Sequence, residues 1–429
     1  MSSPSHPFGP ADRASPPGLV DHYFRHEYGR LVAMLVRRVG LLHLETVEDA
    51  VQGALLAALT VWVADGIPDN PNAWLFRVAH NHLVGVLRKD QRHQRVLDGV
   101  ADKDAHEGEE PVSPAFAGEV RDELLRMLFV CCDETIPQES RLVLALKTLC
   151  GFSTGEIAFR LFTTEANVYK RLARARERLR QNDVDTQTPP LESLRSRLPS
   201  VLAVIYLLFN EGYLSIDAEH AIRAELCEEA IRLGTLLATH AVGAAPPTFA
   251  LLALMHLHAA RLASRQDATG CLLLLEEQDR SLWDAEHLHQ GATWLARAAS
   301  GDVFTRFHAE AGIAAEHCFA PSFADTRWNE IAELYAMLER IDPSPIHTLN
   351  RAVAVAQGQG PQAGLAALDG MVPPAWLDGH YLWDAVLADL HHRVGNAATA
   401  ERHRDQALAA APSTAVQQLL QRRLTARGK

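Results

Sequence analysis

The chain has 429 residues, of which 48% are apolar and 22% charged, with 41 basic and 53 acidic side chains. At roughly 100–200 residues per domain, this length predicts two to four compact domains, and the apolar content excludes a mainly disordered chain. The longest apolar run covers residues 201–209, about half of what a membrane span needs, so no membrane partner is expected.

The distribution of charged residues and cysteines limits the class of protein further. Residues 1–183 hold 22 basic and 25 acidic groups and residues 184–429 hold 19 and 28, so neither part is basic. Binding to nucleic acid therefore requires local basic surfaces. The six cysteines include no CxxC pair, which is typical of reduced thiols and predicts a cytoplasmic protein.

Periodicity predicts an all-α fold, because almost every patterned segment has the 3.6-residue repeat and none alternates like a strand. Polar, Pro-rich or acidic stretches separate the helical segments. The expected organisation is a disordered tail at 1–18, a helical domain at 19–95, an acidic flexible linker at 96–118, a second helical domain at 119–183 and a helical extension at 184–429.

The first helical domain ends in a helix over residues 71–95 that has two different faces. Its core face is predicted to contain Phe76, Ala79, Leu83, Val86 and Leu87. The opposite arc carries Trp74, Arg77, Asn81, His82, Arg88 and Lys89. Cations, an amide and an aromatic ring suit single-stranded or distorted DNA, although Trp74 at the start of a helix is also typical of a packing residue.

Residues 151–180 predict a helix-turn-helix. Ser153 and Glu156 form an S-x-x-E capping box, so a helix begins at Thr154. Residues 163–164 offer a second cap, after which another helix runs to about Arg180. Two helices joined by so short a turn define the motif.

The second of these helices has sharply sorted faces. Its apolar stripe contains Val168, Leu172, Ala175 and Leu179, which we expect to face the core. The opposite face carries Asn167, Lys170, Arg171, Arg174 and Arg178. Amide and guanidinium groups at these positions are typical of a recognition helix in the DNA major groove, and the alternative is a solvated basic face on a structural helix.

Together these residues resemble a sigma factor of the extracytoplasmic-function (ECF) type, the promoter-recognition subunit of bacterial RNA polymerase. The resemblance covers residues 19–95 as region 2 and 119–181 as region 4. In region 2, VEDAVQGALLAAL at 47–59 is similar to the polymerase-binding helix, and NAWLFRVAHNHLVGVLRK at 72–89 to the segment that recognises and melts the −10 element. Two residues depart from the pattern: Gly53, where an acidic residue commonly follows Val-Gln, and Gly85, where Asp is common.

The resemblance implies three sets of binding residues. For the −35 element they are Thr164, Glu165, Asn167, Lys170, Arg171, Arg174 and Arg178. For the −10 element they are Trp74, Arg77, Asn81, His82, Arg88 and Lys89. For core RNA polymerase they are Asp49, Val51, Gln52 and Leu55.

The extension is similar to the long C-terminal part of one ECF group, described as tetratricopeptide-like. The similar segments are RLPSVLAVIYLLFNEGYLS at 197–215, LLALMHLHAARLASR at 251–265, LLEEQDRSLWD at 274–284 and TLNRAVAVAQGQGPQAGLAAL at 348–368. One repeat is indicated independently by the spacing of Leu387, Ala388, Gly395, Ala400, Ala407 and Pro412. Residues 210–213 and 276–284 are candidates for lining a ligand groove, with turn and capping roles as the alternative.

The sequence contains few features of a catalytic or metal-binding site. The histidine pairs 256/258, 287/289 and 391/392 lack i, i+4 spacing, and there is no HExxH, phosphate loop or nucleophile elbow. Cys131 and Cys132 lie in an apolar helix, where buried structural thiols are expected. We therefore expect no enzyme activity, no cofactor and no metal.

Three functional hypotheses follow. The first is an ECF-type sigma factor that binds core RNA polymerase and promoter DNA, with an extension that regulates or supports activity through an unknown protein or ligand. The second is a stand-alone helix-turn-helix transcriptional regulator with a helical sensor domain. The third, a His-dependent metalloenzyme, requires a stoichiometric metal ion.

Overall fold

A computed structural model of the chain describes residues 16–97, 119–181, 191–215 and 221–425. These residues form eighteen α-helices and four short 3₁₀ helices, with a single isolated bridge between Gln266 and Leu272 and no strand. The all-α prediction is confirmed. Most of the predicted tail at 1–18 and of the predicted linker at 96–118 lies outside the described residues.

The chain divides into two compact units, Met1–Val204 and Ile205–Lys429. The helices up to the boundary are α1 (Pro16–Val39), α2 (Leu44–Asp65), α3 (Pro71–Leu97), α4 (Glu119–Cys131), α5 (Gln138–Thr148), α6 (Thr154–Arg160) and α7 (Glu165–Gln181), and α8 (Leu191–Tyr213) contains the boundary. The helices beyond it are α9 (Ala224–Thr239), α10 (Pro246–Ala259), α11 (Ala285–Ala298), α12 (Arg306–Phe319), α13 (Trp328–Ile341), α14 (Pro345–Gln359), α15 (Pro361–Ala366), α16 (Tyr381–Arg393), α17 (Ala397–Ala409) and α18 (Thr414–Thr425).

In the first unit the two predicted helical domains pack against each other. Helix α1 contacts α2, α3 and α4, and α7 contacts α5 and α6. At Gly29 of α1 an added Cβ would clash with the backbone carbonyl of Leu149, so the absence of a side chain permits this close approach. Two segments separated by the predicted linker therefore share one packed unit.

A buried polar contact also joins these segments. The side chain of Glu48 on α2 is 6% exposed, accepts a 2.6 Å hydrogen bond from the Thr148 hydroxyl, and forms an ion pair with Arg176 on α7. Burial raises the pKa of Glu48, although the guanidinium of Arg176 opposes this change. One carboxylate therefore connects α2, α5 and α7.

By length and composition alone, one described segment, Leu41–Asp65, is apolar enough to cross a bilayer. One or two polar residues at a time interrupt its apolar runs, so the length of an uninterrupted run does not reveal it. Its helix α2 nevertheless buries a face that includes Val47, Ala54 and Trp62 in the first unit. A core helix passes the same test of length and composition.

The second unit contains helical pairs packed in succession. Helix α10 contacts α9, α11 and α12, α13 contacts α14, and α16 contacts α17. The pair α16–α17 spans the segment predicted as a repeat. There Ala388, Ala400 and Ala407 are buried, and Gly395 in the connecting turn has φ +85°. That φ lies in the left-handed region that favours glycine.

Candidate nucleic-acid interface

Helix α6 begins at the predicted capping box. The Ser153 hydroxyl accepts a 3.2 Å hydrogen bond from the Glu156 backbone N–H, and the Glu156 carboxylate accepts a 2.6 Å bond from the Ser153 N–H. These bonds satisfy backbone donors at the start of the helix. The first helix of the motif therefore begins at Thr154, as predicted.

A tight turn then directs the chain into α7. Phe162 in this turn has φ +48°, a conformation that is uncommon for residues other than glycine. The Thr164 hydroxyl accepts a 3.3 Å hydrogen bond from the Asn167 N–H, so the second predicted cap is also present. Helix α7 ends at Gln181, one residue beyond the prediction.

The apolar stripe of α7 faces the core, as its spacing predicted. Its buried residues are Val168, Leu172, Ala175 and Leu179. Because burial of this stripe fixes the rotation of the helix, the remaining faces are determined as well. One of them is open to solvent and another faces α2.

The open face contains most of the residues predicted to contact the −35 element. Those exposed are Thr164, Glu165, Asn167, Lys170, Arg174 and Arg178. Two of them also support the turn, because Glu165 accepts a 2.6 Å hydrogen bond from the Thr154 hydroxyl and the Asn167 amide donates to the Thr163 hydroxyl. The exposed cations and the Asn167 amide thus lie on one face of a capped helix.

Arg171 differs from its neighbours. It is half-buried, and its Nη2 forms a 2.6 Å ion pair with the Glu139 carboxylate of α5. The prediction that Arg171 shares one open face with Lys170 and Arg174 is therefore corrected, because its guanidinium is bound by a carboxylate of α5. Any role in DNA binding requires that this ion pair be broken or shared.

The face of α7 toward α2 is also cationic, but carboxylates cover it. Arg176 pairs with Glu48 and, at 3.0 Å, with Glu45, and Arg180 lies 3.5 Å from Glu45. These arginines stabilise the packing of α7 on α2. The positive charge of α7 is therefore divided between an intramolecular contact and the open face.

Helix α3 carries the second predicted DNA surface. Exposed there are Arg77, Asn81, His82, Arg88 and Lys89. Trp74 is only half-buried, with its ring in edge-to-face contact with Trp62 at a centroid distance of 5.5 Å. This contact favours the packing interpretation of Trp74 that the sequence left open.

The polymerase-binding residues predicted on α2 do not share one face. Asp49 and Gln52 are exposed, whereas Val51 and Leu55 are buried in the core. The prediction that all four form one accessible surface is therefore wrong for Val51 and Leu55. Their apolar side chains belong to the stripe that packs α2 into the first unit.

An exposed apolar stripe on α2 was missed. Leu56 and Val63 are 66% and 60% exposed, and Leu59 is exposed between them. Together with Asp49 and Gln52 these residues have the spacing 3, 4, 3, 4, which places them on one side of the helix. That spacing was a usable signal, but α2 is apolar on several faces and periodicity alone did not show which one remains open.

The two glycines that depart from the family pattern have different surroundings. A Cβ at Gly53 would lie 3.1 Å from Nδ1 of His82, so α2 closely approaches α3 there. A Cβ at Gly85 would meet nothing within 4 Å. Tertiary packing therefore gives a reason for Gly53 and none for Gly85.

The histidines include one unexpected contact in the second unit. Nδ1 of His256 on α10 and Nδ1 of His287 on α11 are 2.9 Å apart. Burial and the neighbouring imidazole lower the pKa of His256 to about 4. Among the described residues, no three His, Cys, Asp or Glu side chains are grouped to hold a metal ion.

Comparison with known proteins agrees with the geometry of α6 and α7. Residues 126–179 match the family model of sigma-70, region 4. Residues 197–299 match a family of unknown function, DUF6596. No solved structure matches the chain.

The helix-turn-helix and its match support a sigma-70 family factor, with a region 4 domain over residues 126–179 and a DUF6596 domain over residues 197–299. One similar protein is the "Uncharacterized protein R00370" of Rhizobium meliloti (strain 1021), 35% identical over 372 residues, which cover 86% of this chain and 87% of that protein. The chain belongs to the same family as that protein.

Proposed function

We propose that this chain is an ECF-type sigma factor that binds core RNA polymerase, recognises the −35 and −10 promoter elements and initiates transcription in the cytoplasm without catalysis of its own. The observation that carries this proposal is the open cationic face of α7, displayed by a capped helix-turn-helix within the segment that matches sigma-70 region 4.

Helix α7 acts as the −35 recognition helix. Asn167 and Lys170 lie in its N-terminal half, where side chains of a recognition helix reach base edges. Arg174 and Arg178 follow on the same open face and bind phosphates, which contributes affinity that falls with salt. The turn bonds of Glu165 and Thr164 hold this end of the helix in place.

Helix α3 captures the unpaired −10 strand. Its exposed Arg77, Arg88 and Lys89 follow the DNA backbone, and Asn81 and His82 offer hydrogen-bonding groups to bases. Trp74 stabilises the position of this helix by packing on Trp62 of α2. Its half-buried ring contributes to the shape of the surface beside these residues.

Core RNA polymerase binds the exposed stripe of α2. Leu56, Leu59 and Val63 supply apolar area, and Asp49 and Gln52 extend the stripe with polar groups. Exposed apolar residues in one row are typical of a protein interface. This assignment replaces Val51 and Leu55, whose burial excludes direct contact in this arrangement.

The second unit, which contains most of the DUF6596 segment, acts as a tetratricopeptide-like interaction domain that regulates or supports initiation. The hairpin of α16 and α17, with buried alanines at its contact, supports that architecture. Residues 184–429 carry a net charge of −9, which favours binding of cationic proteins over binding of nucleic acid.

Run-off transcription with core RNA polymerase and the full chain tests this proposal. We expect promoter-dependent transcripts, loss of core binding in a pull-down of Leu56→Asp, and normal binding of Leu42→Asp. Leu42 is a matched control, because it is 68% exposed and lies outside the stripe. A folded full-length protein that binds duplex promoter DNA but no core enzyme would identify a stand-alone helix-turn-helix regulator instead.

A further inference from the structure

Three arginines of the second unit, Arg261, Arg265 and Arg280, are neighbours. Arg261 and Arg280 both contact the Trp283 ring, and the charge of Arg261 acts on Arg265. Among the described residues no Asp or Glu lies within ion-pair distance of any of the three, and the carboxylate whose charge acts on Arg280 is that of Asp325. Arg261 is only 7% exposed. Elsewhere in this unit, by contrast, Arg351 is paired with Glu339 at 2.9 Å. Buried charges are normally paired, because desolvation of an isolated ion is costly.

Aromatic rings hold the three guanidinium groups in place. The Cζ atoms of Arg261 and Arg280 lie 5.7 and 4.4 Å from the centre of the Trp283 ring. The Cζ of Arg265 lies 3.6 Å from the centre of the Tyr213 ring. Stacking on a ring face leaves the edge of a guanidinium, which carries its N–H groups, free for hydrogen bonds.

Protein acceptors use only part of this donor capacity. Arg261 donates through Nε to the Gln278 side chain at 3.2 Å, and Arg265 donates through Nη1 to the Tyr213 carbonyl. Arg280 donates through Nη1 to two carbonyls at the end of α12, at 3.0 and 2.8 Å, while its buried Nη2 has no hydrogen-bond partner. Each guanidinium has five N–H donors, so these bonds account for one or two donors of each and leave the rest.

Two buried histidines adjoin the cluster. The Nδ1 atoms of His258 and His317 are buried without a hydrogen-bond partner. The ring of His258 lies 4.8 Å from that of Tyr213. Burial and the nearby guanidinium groups lower the pKa of both, that of His317 to about 4, so both are neutral at pH 7. The cluster therefore has a charge of three from arginine, with imidazole nitrogens as additional hydrogen-bonding groups.

We propose that Arg261, Arg265 and Arg280 form a binding site for a phosphate group, free or as part of a small phosphate ester. Three fixed guanidinium groups match a doubly charged tetrahedral oxyanion better than a single carboxylate, because each of them can donate to a different oxygen atom. The three arginines and Trp283 all lie within the segment that matches DUF6596. The site gives the extension a small-molecule ligand, which goes beyond promoter recognition and does not depend on it.

The test is isothermal titration calorimetry of the full chain with inorganic phosphate at constant ionic strength and neutral pH. We expect saturable binding of one phosphate per chain, weaker binding of sulfate and no binding of acetate. Titration with glycerol phosphate then distinguishes an ester from the free ion. Arg280→Lys keeps a cation for the α12 carbonyls but removes the planar guanidinium with its additional N–H donors. Arg261→Gln removes the positive charge next to Gln278. Each variant should weaken binding at least about tenfold.

The matched control is Arg351→Gln, which removes a similarly half-buried arginine whose charge is already paired. Circular dichroism and thermal unfolding without phosphate establish that each variant is folded. Absence of phosphate binding to the folded wild-type chain would overturn the proposal, as would equal weakening by Arg351→Gln and Arg280→Lys. Tighter binding of acetate than of phosphate would refute the assigned ligand class. Should Arg261→Gln not fold, the conservative Arg280→Lys variant alone decides the result.

Discussion

The contact of Glu48 with Arg176 gives the most direct test of how the first unit is held together. Glu45 and Glu48 both lie on α2 and both pair with Arg176, but their side chains are 51% and 6% exposed. The two carboxylates are thus matched in chemistry and partner and differ in burial. We compare Glu48→Ala with Glu45→Ala in the full chain.

The structure sets the expected magnitudes. Removal of the Glu48 carboxylate leaves the buried Thr148 hydroxyl without its 2.6 Å bond, and removes the buried partner of a guanidinium. Breaking a buried pair costs about 3–5 kcal/mol, but Arg176 keeps Glu45 and some solvent contact. Glu48→Ala also removes the cost of burying a charged carboxylate, which further reduces the loss of free energy of unfolding. We expect about 2–3 kcal/mol for Glu48→Ala and less than about 1 kcal/mol for the exposed Glu45→Ala.

Hydrogen exchange of backbone amides, resolved by mass spectrometry, measures these free energies helix by helix. This readout is preferred because a two-unit chain does not unfold in a single two-state step. Peptides from α2 and α7 of Glu48→Ala should exchange roughly 30- to 160-fold faster than in the wild type. Peptides from α13 and α14 in the second unit serve as an internal control. Equal effects of the two substitutions, or unchanged protection in Glu48→Ala, would refute the assignment of Glu48 as the buried link.

Three other predictions concern DNA binding, acid stability and helix propensity. When promoter affinity is measured over a series of salt concentrations, Arg174→Ala should reduce the slope of log affinity against log salt by about one. Arg171→Ala should have a smaller effect, because Arg171 already forms an ion pair within the protein. A larger effect of Arg171→Ala would contradict the assignment of the open face. Burial lowers the pKa of His256 from 6.5 to about 4, so the neutral imidazole stabilises the fold above pH 6.5 and this contribution is lost as the pH falls toward 4. The loss of free energy of unfolding is on the order of 3 kcal/mol. Faster hydrogen exchange of α10 at low pH should show it, and His256→Gln should not show it. Gly85→Ala should stabilise α3 against local unfolding by about 0.5–1 kcal/mol, which slower hydrogen exchange of α3 would show. Gly53→Ala should stabilise its helix less, because the added Cβ meets a neighbouring side chain. Equal stabilisation by both substitutions would show that this neighbour moves away without cost.

Much of the candidate DNA-binding site was predictable from local pattern. The capping box at Ser153 and the stripe from Val168 to Leu179 depend on residues three or four positions apart. Such interactions form within a single turn of helix, so their signal is contained in a short window of sequence. The same holds for the exposed face of α7, because burial of one stripe determines what lies opposite.

The errors arose where several faces of a helix are apolar. On α2 the pattern allowed Val51 and Leu55 either to face a partner or to enter the core, and it did not distinguish them from Leu56. On α7 the charge of Arg171 was evident but its partner Glu139 was not. Periodicity states which residues share a face, while the neighbouring helix decides whether that face is covered.

The sequence by itself determined the helical class of this protein, the two caps of the helix-turn-helix, that motif itself and the open side of α7 that carries Lys170, Arg174 and Arg178. Only the tertiary structure joined Glu48 to Arg176, His256 to His287, and Arg261 to Arg280. These partners lie between 19 and 128 positions apart in the chain. Contacts at such separations depend on how helices are arranged in space, and the energy of that arrangement is spread over many weak apolar contacts that no short segment contains.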